Sequence, residues 1–384
     1  MAIPTKLSIL DYLTHKETRA VAALFMMNAF LFSQWVVRIP DIKELLGLTD
    51  ASLGFALLAS PLGVVIITPL VSVGIRKLGP GKISILGGIT YAFTIIAIGF
   101  VNSYTALVAT LFILGIANGM MDISMNAVVS ALEKIKSSIF MSTTHGFWSL
   151  SAMIFSLVAS YIVSTQIGIK QHLLVSGISS LLFLVFALSI HNIKDTTESQ
   201  KSFKLPDGSV LVLVIIAFVV FLTEGGIMDW NAVFYKDVLD SPEYLWGFGF
   251  ASFSFTMAIA RFYGDNLIEK YSTRYLILYG CLILAGGLLL YSLGISIVIC
   301  SIAMMISGLG CSILIPVLFR QAGLLEEVPP SVGIATVSTL GYTGFLVGPP
   351  LIGFLSDSFS LEMSFGLLAI VIASAGILSL KLKI

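Results

Sequence analysis

Y-T-A-L-V-A-T-L-F-I-L-G-I-A-N-G-M-M-D-I-S-M-N-A-V-V-S, residues 104–130, carries a single charge, Asp122, and no other charged residue lies between Lys82 and Glu133. An α-helix needs about 20 apolar residues to cross a bilayer core. A carboxylate near the bilayer centre costs roughly 3 kcal/mol on insertion scales. Such a residue is kept only where it faces a protein interior or an aqueous path. Asn118 and Asn126 stand four residues to either side. Positions i, i+4 and i+8 share one helix face, so the three make a polar stripe.

Outward from this run, the chain repeats the pattern. Twelve apolar stretches can be read, near 19–39, 51–74, 82–101, 104–130, 138–164, 171–190, 209–235, 244–263, 274–293, 296–319, 331–355 and 362–380. The 384 residues are 57% hydrophobic and 11% charged, with mean hydropathy +1.01. A soluble domain carries about 25% charged residues, so that class is excluded. The twelve stretches leave no room within the chain for an extramembrane domain. Net charge is zero and there is no basic arm, so no nucleic-acid partner is expected. A polar segment precedes the first stretch, which is too long for a signal core, so no cleavable signal is expected. Cys281, Cys300 and Cys311 all fall inside apolar stretches and read as packing residues rather than a disulfide or metal set.

With the N-terminus placed inside, seventeen of the 21 Lys and Arg fall in segments on the inner side, among them Arg76, Lys77, Arg261 and Arg274. Only Arg38, Lys43, Lys170 and Lys236 fall outside. The positive-inside rule therefore predicts that both termini are cytoplasmic. The main polar break, H-N-I-K-D-T-T-E-S-Q-K-S-F-K-L-P-D-G, spans 191–208. It divides the chain into six-span halves, 1–190 and 209–384, joined by a cytoplasmic linker. A shift of 195 residues superposes Trp35 on Trp230, Gly115 on Gly310 and Gly146 on Gly341, as an internal duplication would. The expected fold class is thus an all-α membrane protein of twelve transmembrane helices in two pseudo-repeat halves.

Twelve helices in duplicated halves joined by a cytoplasmic loop resemble the major facilitator superfamily. That family carries G-x-x-x-D-R-x-G-R-R between its second and third spans. Here the stretch is S-V-G-I-R-K-L-G-P-G-K, with Arg76 at the aspartate position and Lys77 beside it. The second-half copy, G-D-N-L-I-E-K-Y-S-T-R, has Asp265, Glu269 and Lys270. The resemblance implies that this loop pins helix ends in one conformational state. The eleventh span, G-Y-T-G-F-L-V-G-P-P-L-I-G-F-L-S-D, is similar to the family's, and its Gly341, Gly344, Gly348 and Gly353 would permit close helix contacts. Within the superfamily, Gly115, Gly119, Asp122 and Asn126 resemble the fucose permease pattern G-x-x-x-G-x-x-E-x-x-x-N. In that branch the acid takes part in proton coupling and the span lines a sugar cavity. The branch also has an acid in span one, before an Ile-Pro pair; here Val36 precedes Ile39-Pro40. D-I-S-M-N-A, H-G-F-W-S-L and E-G-G-I-M-D-W are similar to marks of an uncharacterised bacterial subgroup of the branch, which implies an inner-membrane location. A monomer is the family expectation.

Asp122 is the first proton-coupling candidate; the alternative is a structural acid that never titrates. Asn118 and Asn126 either hold substrate hydroxyls or satisfy Asp122. Span seven carries Glu224 and Asp229 in F-L-T-E-G-G-I-M-D-W-N-A-V-F-Y. They lie about 140° apart on a helix and share one cavity only if the helix breaks, as Gly225-Gly226 would permit. Glu224 is the deeper and reads as a second coupling acid, with Asn231 on its face. Asp229 reads either as a partner of Arg38 or as a solvated vestibule acid. Arg38, one turn after Gln34, binds an anionic substrate, closes the outer gate or snorkels. Asn28 in mid-span is a cavity candidate, since an amide facing lipid is costly. His145 is a proton relay or a cap, and Trp148 a stacking platform or plain packing. Gln321 and Tyr342, the repeat equivalents of Asn126 and Phe147, complete the cavity candidates.

These features predict a secondary active transporter of a small polar, sugar-like solute, coupled to protons by alternating access. An exporter of drugs or metabolites is the alternative, although span five lacks the Gly-Pro typical of drug antiporters. An enzyme is not expected: His15, His145, His172 and His191 are scattered, and no metal motif or ATP-binding loop occurs. No cofactor or metal is called for.

Overall fold

The computed structural model describes residues 5–6, 9–193, 208–263, 272–325 and 328–382. They fold as long helices that run back and forth. The first six spans are Lys16–Leu45, Asp50–Leu78, Pro80–Ile98, Tyr104–Lys136, Met141–Ser164 and Ile169–Ile190. The seventh is Gly208–Asp237; Thr273–Tyr291, Ile297–Leu324, Val332–Ser358 and Leu361–Lys381 are the ninth to twelfth. These eleven are long and apolar enough to cross a membrane. The eighth, Phe248–Tyr263, is described over 16 residues. The expected twelve-span, all-helical architecture is observed, together with one pair of two-residue strands, Thr5–Lys6 parallel to Ser138–Ile139.

Local chemistry sets where several helices start. Ser103, Ser296 and Ser360 cap the fourth, tenth and twelfth spans, each hydroxyl accepting from the backbone N–H three residues on. Glu133 Oε1 accepts from the N–H groups of Phe140 (2.6 Å) and Met141 (2.7 Å), satisfying the open end of the fifth span from the end of the fourth. The turn between spans two and three needs Gly79, whose φ of +87° is costly for any side chain, and Pro80 then opens the third helix. Arg76 and Lys77 end the second span exposed. Asp265, Glu269 and Lys270 lie outside the described residues, as does most of the 191–208 linker.

The helices gather into two compact units. One comprises Met1–Leu46 and Ala59–Glu198, the other Gly47–Leu58 and Ser199–Ile384. The units therefore depart from the linear halves 1–190 and 209–384, because the short helix Asp50–Leu57 packs with the second unit. There Asp50 N–H donates to Asp357 Oδ1 (2.9 Å) and Ser356 Oγ donates to Asp50 Oδ2. A Cβ on Gly54 would meet Pro349 O at 2.8 Å, so glycine lets this helix lie against the eleventh span.

Within the first unit the first span packs on the fifth and sixth, the third on the fourth and sixth, and the second on the fourth. Within the second unit the seventh packs on the eleventh and twelfth, the ninth on the tenth and twelfth, and the eighth on the tenth. The pairings correspond one to one, which is the duplication expressed as packing. Spans one and seven are the most enclosed, 83% and 78% buried along their most apolar stretch against 28% for span two.

The N-terminal segment also docks on the first unit. Tyr12 is fully buried, stacks on Phe147 at 5.3 Å between ring centroids, and shares a 2.9 Å hydrogen bond with Thr144 Oγ1. Burial pushes its hydroxyl above the usual tyrosine range, with the Thr144 hydrogen bond opposing.

Candidate functional site

Span four runs unbroken from Tyr104 to Lys136, so Asn118, Asp122 and Asn126 do share a face. The opposite side is fastened elsewhere, by Ser124 Oγ to Ser84 Oγ of span three (2.9 Å). Two chains of hydrogen bonds reach the stripe. In one, Trp148 Nε1–H donates to Asn28 Oδ1 (2.9 Å), and Asn28 Nδ2–H donates to Asn118 Oδ1 (2.8 Å). In the other, Asn126 Nδ2–H donates to the Asp122 carbonyl (2.9 Å) and to Oδ1 (3.2 Å). Asn126 Oδ1 is thereby left as an acceptor for His145 Nε2, at 3.0 Å, so the proton of His145 sits on Nε2 in this arrangement.

The two chains end at neighbouring positions of the stripe, Asn118 and Asp122. Asn118 Nδ2 and Asp122 Oδ2 make no hydrogen bond to any described residue, although both side chains are half-buried. A donor and an acceptor therefore stand one helical turn apart, about 5–6 Å between Cβ atoms. Rings flank them: Phe25 meets His145 edge-on at 5.0 Å, and Phe32 lies 6.2 Å from Trp148. The first unit thus gathers Asn28, Asn118 and Trp148 into one hydrogen-bonded set and Asp122, Asn126 and His145 into another, both on the face of span four.

Gln34 and Arg38 belong to a different cluster, which does not open onto a cavity. Arg38 is 3% exposed, and its donors are engaged by His172 Nδ1 (2.9 Å), Asp41 Oδ2 (2.7 Å) and the Ile167 carbonyl (2.6 Å). Guanidinium only donates, so His172 Nδ1 accepts and its proton is on Nε2, 2.8 Å from Gln34 Oε1. The cluster ties the end of span one to span six. His172 was expected only as one of four scattered histidines; its sole sequence signal is a polar residue near the start of an apolar span.

In the second unit, span seven is one continuous helix, Gly208–Asp237, so the break that Gly225-Gly226 would permit is not made. Those glycines serve close packing instead: a Cβ on Gly225 would meet Phe345 Cδ1 at 2.7 Å, and one on Gly226 would meet Ile352 Cδ1 at 2.3 Å. Glu224 and Asp229 consequently point apart. Glu224 is buried and has Arg261 of span eight as its electrostatic neighbour. Arg261, expected as an inner-side loop charge, is half-buried in the last turn of that helix. Asp229 is half-buried and makes no hydrogen bond to another described residue.

Asn231 does not line a cavity with Glu224. It is 1% exposed, donates to Met304 Sδ (3.2 Å) and accepts from Tyr291 Oη (3.2 Å). Gln321 is buried in span ten. Tyr342 sits at the junction of the two helices of span eleven, 46% exposed and stacked on Phe221 at 4.6 Å. The three cysteines are free and buried.

Comparison with known proteins agrees with this architecture. The chain is similar to an uncharacterised transporter of the same type from Yersinia pestis, with 28% identity over 353 residues covering 91% of both chains. An uncharacterised transporter of Sinorhizobium fredii shows 27% identity over 369 residues, covering 95% of this chain and 98% of the relative. The membrane protein MosC of Rhizobium meliloti is 25% identical over 344 residues, 89% of this chain and 84% of the other. Among solved structures, a point mutant of the nucleoside transporter NupG superposes with a TM-score of 0.77 at 12% identity, over 96% of this chain and all of that one. A bacterial homologue of the human lysosomal transporter Spinster gives 0.70 at 14% identity, over 94% and 95%. The sequence model described as Major Facilitator Superfamily matches residues 20–325, and the chain belongs to that family as a multi-pass membrane transporter, not an enzyme.

Proposed function

We propose that the protein is a proton-coupled symporter for a small, neutral, hydroxylated solute, working by alternating access with both termini in the cytoplasm of a bacterial inner membrane. The observation that carries this reading is Asp122. Its described partners are neutral amide and backbone groups, and one carboxylate oxygen is open beside the open amide of Asn118. A charge held there is balanced by no cation among the described residues, so it is costly in an apolar bundle. Taking up a proton removes that cost and permits the loaded carrier to reorient. Glu224, the second acid of the scheme, differs in having a cation, Arg261, as an electrostatic neighbour. That contrast supports Asp122 as the carrier of the proton, with Glu224 as its counterpart in the second unit.

The donor–acceptor pair of Asn118 and Asp122 suits vicinal hydroxyls, and the Trp148 ring suits the flat face of a sugar. The span-four resemblance to fucose permeases supports the same solute class, and the nucleoside carried by the fold neighbour is itself sugar-bearing. The test is transport in liposomes holding a pH-sensitive dye, screened with sugars and nucleosides. Wild type is expected to move protons inward only with its solute. Asp122→Asn should lose uphill accumulation by tenfold or more while retaining solute exchange. Uphill accumulation that persists in that variant refutes the assignment of the proton to Asp122.

A further inference from the structure

A second polar feature lies away from the stripe, where the start of span one meets the end of span six. Lys16, Arg19, Ala20, Val185, Phe186, Leu188 and Ser189 enclose a cleft of ≈ 350 Å³. We propose that this cleft binds the phosphate headgroup of an anionic phospholipid, with an acyl chain lying along Val185 and Phe186.

Lys16 and Arg19 are exposed, stand three residues apart on one face of the helix, and have no ion pair with any described residue. The acid nearest them in sequence, Glu17, is engaged by Lys136 of span four at 3.3 Å. The carbonyl groups at the end of span six are already taken: Phe186 O accepts from Ser189 Oγ, Leu188 O from His191 Nδ1–H (2.7 Å) and Ile190 O from Ile193 N–H (3.1 Å). The two cations are therefore not needed to cap that helix. His15 makes no side-chain cap at the start of span one, so the positive end of that helix dipole lies on the same side as the two cations.

The second half of the argument is the wall. Val185, Phe186 and Leu188 are 64%, 66% and 57% exposed, and they continue the cleft toward the apolar flank of span six, where Leu182 is 67% exposed. A free anion gains nothing from such a surface. A phospholipid needs both a cationic seat at headgroup depth and an apolar track below it, and basic pockets beside membrane helices suit anionic headgroups. Ser189 is half-buried, and its Oγ lies within 3.5 Å of the Lys16 carbonyl, so the two walls of the cleft come together there.

The test is native mass spectrometry of the full chain, titrated with phosphatidylglycerol or with phosphatidylcholine of the same acyl chains. Wild type should prefer phosphatidylglycerol by on the order of tenfold. The Lys16→Gln/Arg19→Gln double variant should bind the two lipids alike, with an unchanged melting temperature. Phe186→Ala should weaken both lipids equally. Should the double variant fail to fold, Lys16→Arg against Lys16→Gln decides, since only the first keeps the preference. A double variant that retains the preference overturns the proposal. So does displacement of phosphatidylglycerol by millimolar inorganic phosphate, which would mark the seat as a free-anion site. The readout is independent of transport, so it stands or falls apart from the role of Asp122.

Discussion

At the residue scale, the tightest polar cluster of the first unit is the Arg38–His172–Gln34 set, which holds spans together. Arg38 spends its fork on three different acceptors, a geometry an ammonium does not reproduce. Arg38→Lys is expected to leave His172 Nδ1 or Ile167 O unpaired inside the protein, at about 1–3 kcal/mol for each group lost. His172→Ala should cost a similar amount by stranding Arg38 Nε and Gln34 Oε1. The check is thermal unfolding in detergent: both variants should melt earlier than wild type while Asp122→Asn does not. Equal melting of all four proteins would show that the cluster is no clamp. The proximity of Gln34 and Arg38 was legible, since both lie on one helix a turn apart. Their partner was not, because His172 lies 134 residues from Arg38, and one sequence gives no pairing across that distance. The same limit hid Arg261 from Glu224. Asp122 was legible for the opposite reason: its stripe is local to one helix, and its cost in an apolar run is visible without knowing any neighbour.

At the scale of the element, glycine positions separate what propensity dictates from what packing dictates. A Cβ on Gly115 would sit 1.8 Å from Ser60 O of span two, a backbone atom that cannot turn away. Gly286, also in mid-helix, has nothing within 4 Å of that position. Gly286→Ala is expected to be neutral or to stabilise by up to about 1 kcal/mol through helix propensity. Gly115→Ala should force spans two and four apart and lower the yield of folded protein, overpacking being worth about 1–3 kcal/mol. Size-exclusion profiles and melting of the two variants decide; if Gly115→Ala behaves like Gly286→Ala, the contact is not that close. Gly225-Gly226 show why such readings are hard from sequence. A glycine pair permits either a broken helix or a close neighbour, and the neighbours, Phe345 and Ile352, are over a hundred residues away. The span-eleven glycines were readable because four of them recur within a single span. Their structural role is the expected one: a Cβ on Gly344 would meet Phe218 O at 2.1 Å.

At the scale of the molecule, the twelve spans followed from apolar length, and the repeat followed from three residue matches that the principal helix pairings of the two units now extend. The sides of the membrane rest on charge alone. The end that bears Arg76, Lys77, Lys134 and Lys136 carries the excess of cations, and translocating them is disfavoured. Thr165, at the close of span five, lies at the opposite end, exposed and beyond the last helical turn. The native cysteines are buried and can be replaced to give a silent background. In that background, Thr165→Cys should react with a membrane-impermeant maleimide added to intact cells, whereas Lys77→Cys should react only after permeabilisation. Both positions are exposed, so a lack of reaction reports the barrier and not burial. The reverse pattern would place the termini outside. His145 would then lie toward the outer side, while an inward proton gradient would still drive the solute into the cell, because a symporter carries proton and solute in the same direction whichever way it is oriented.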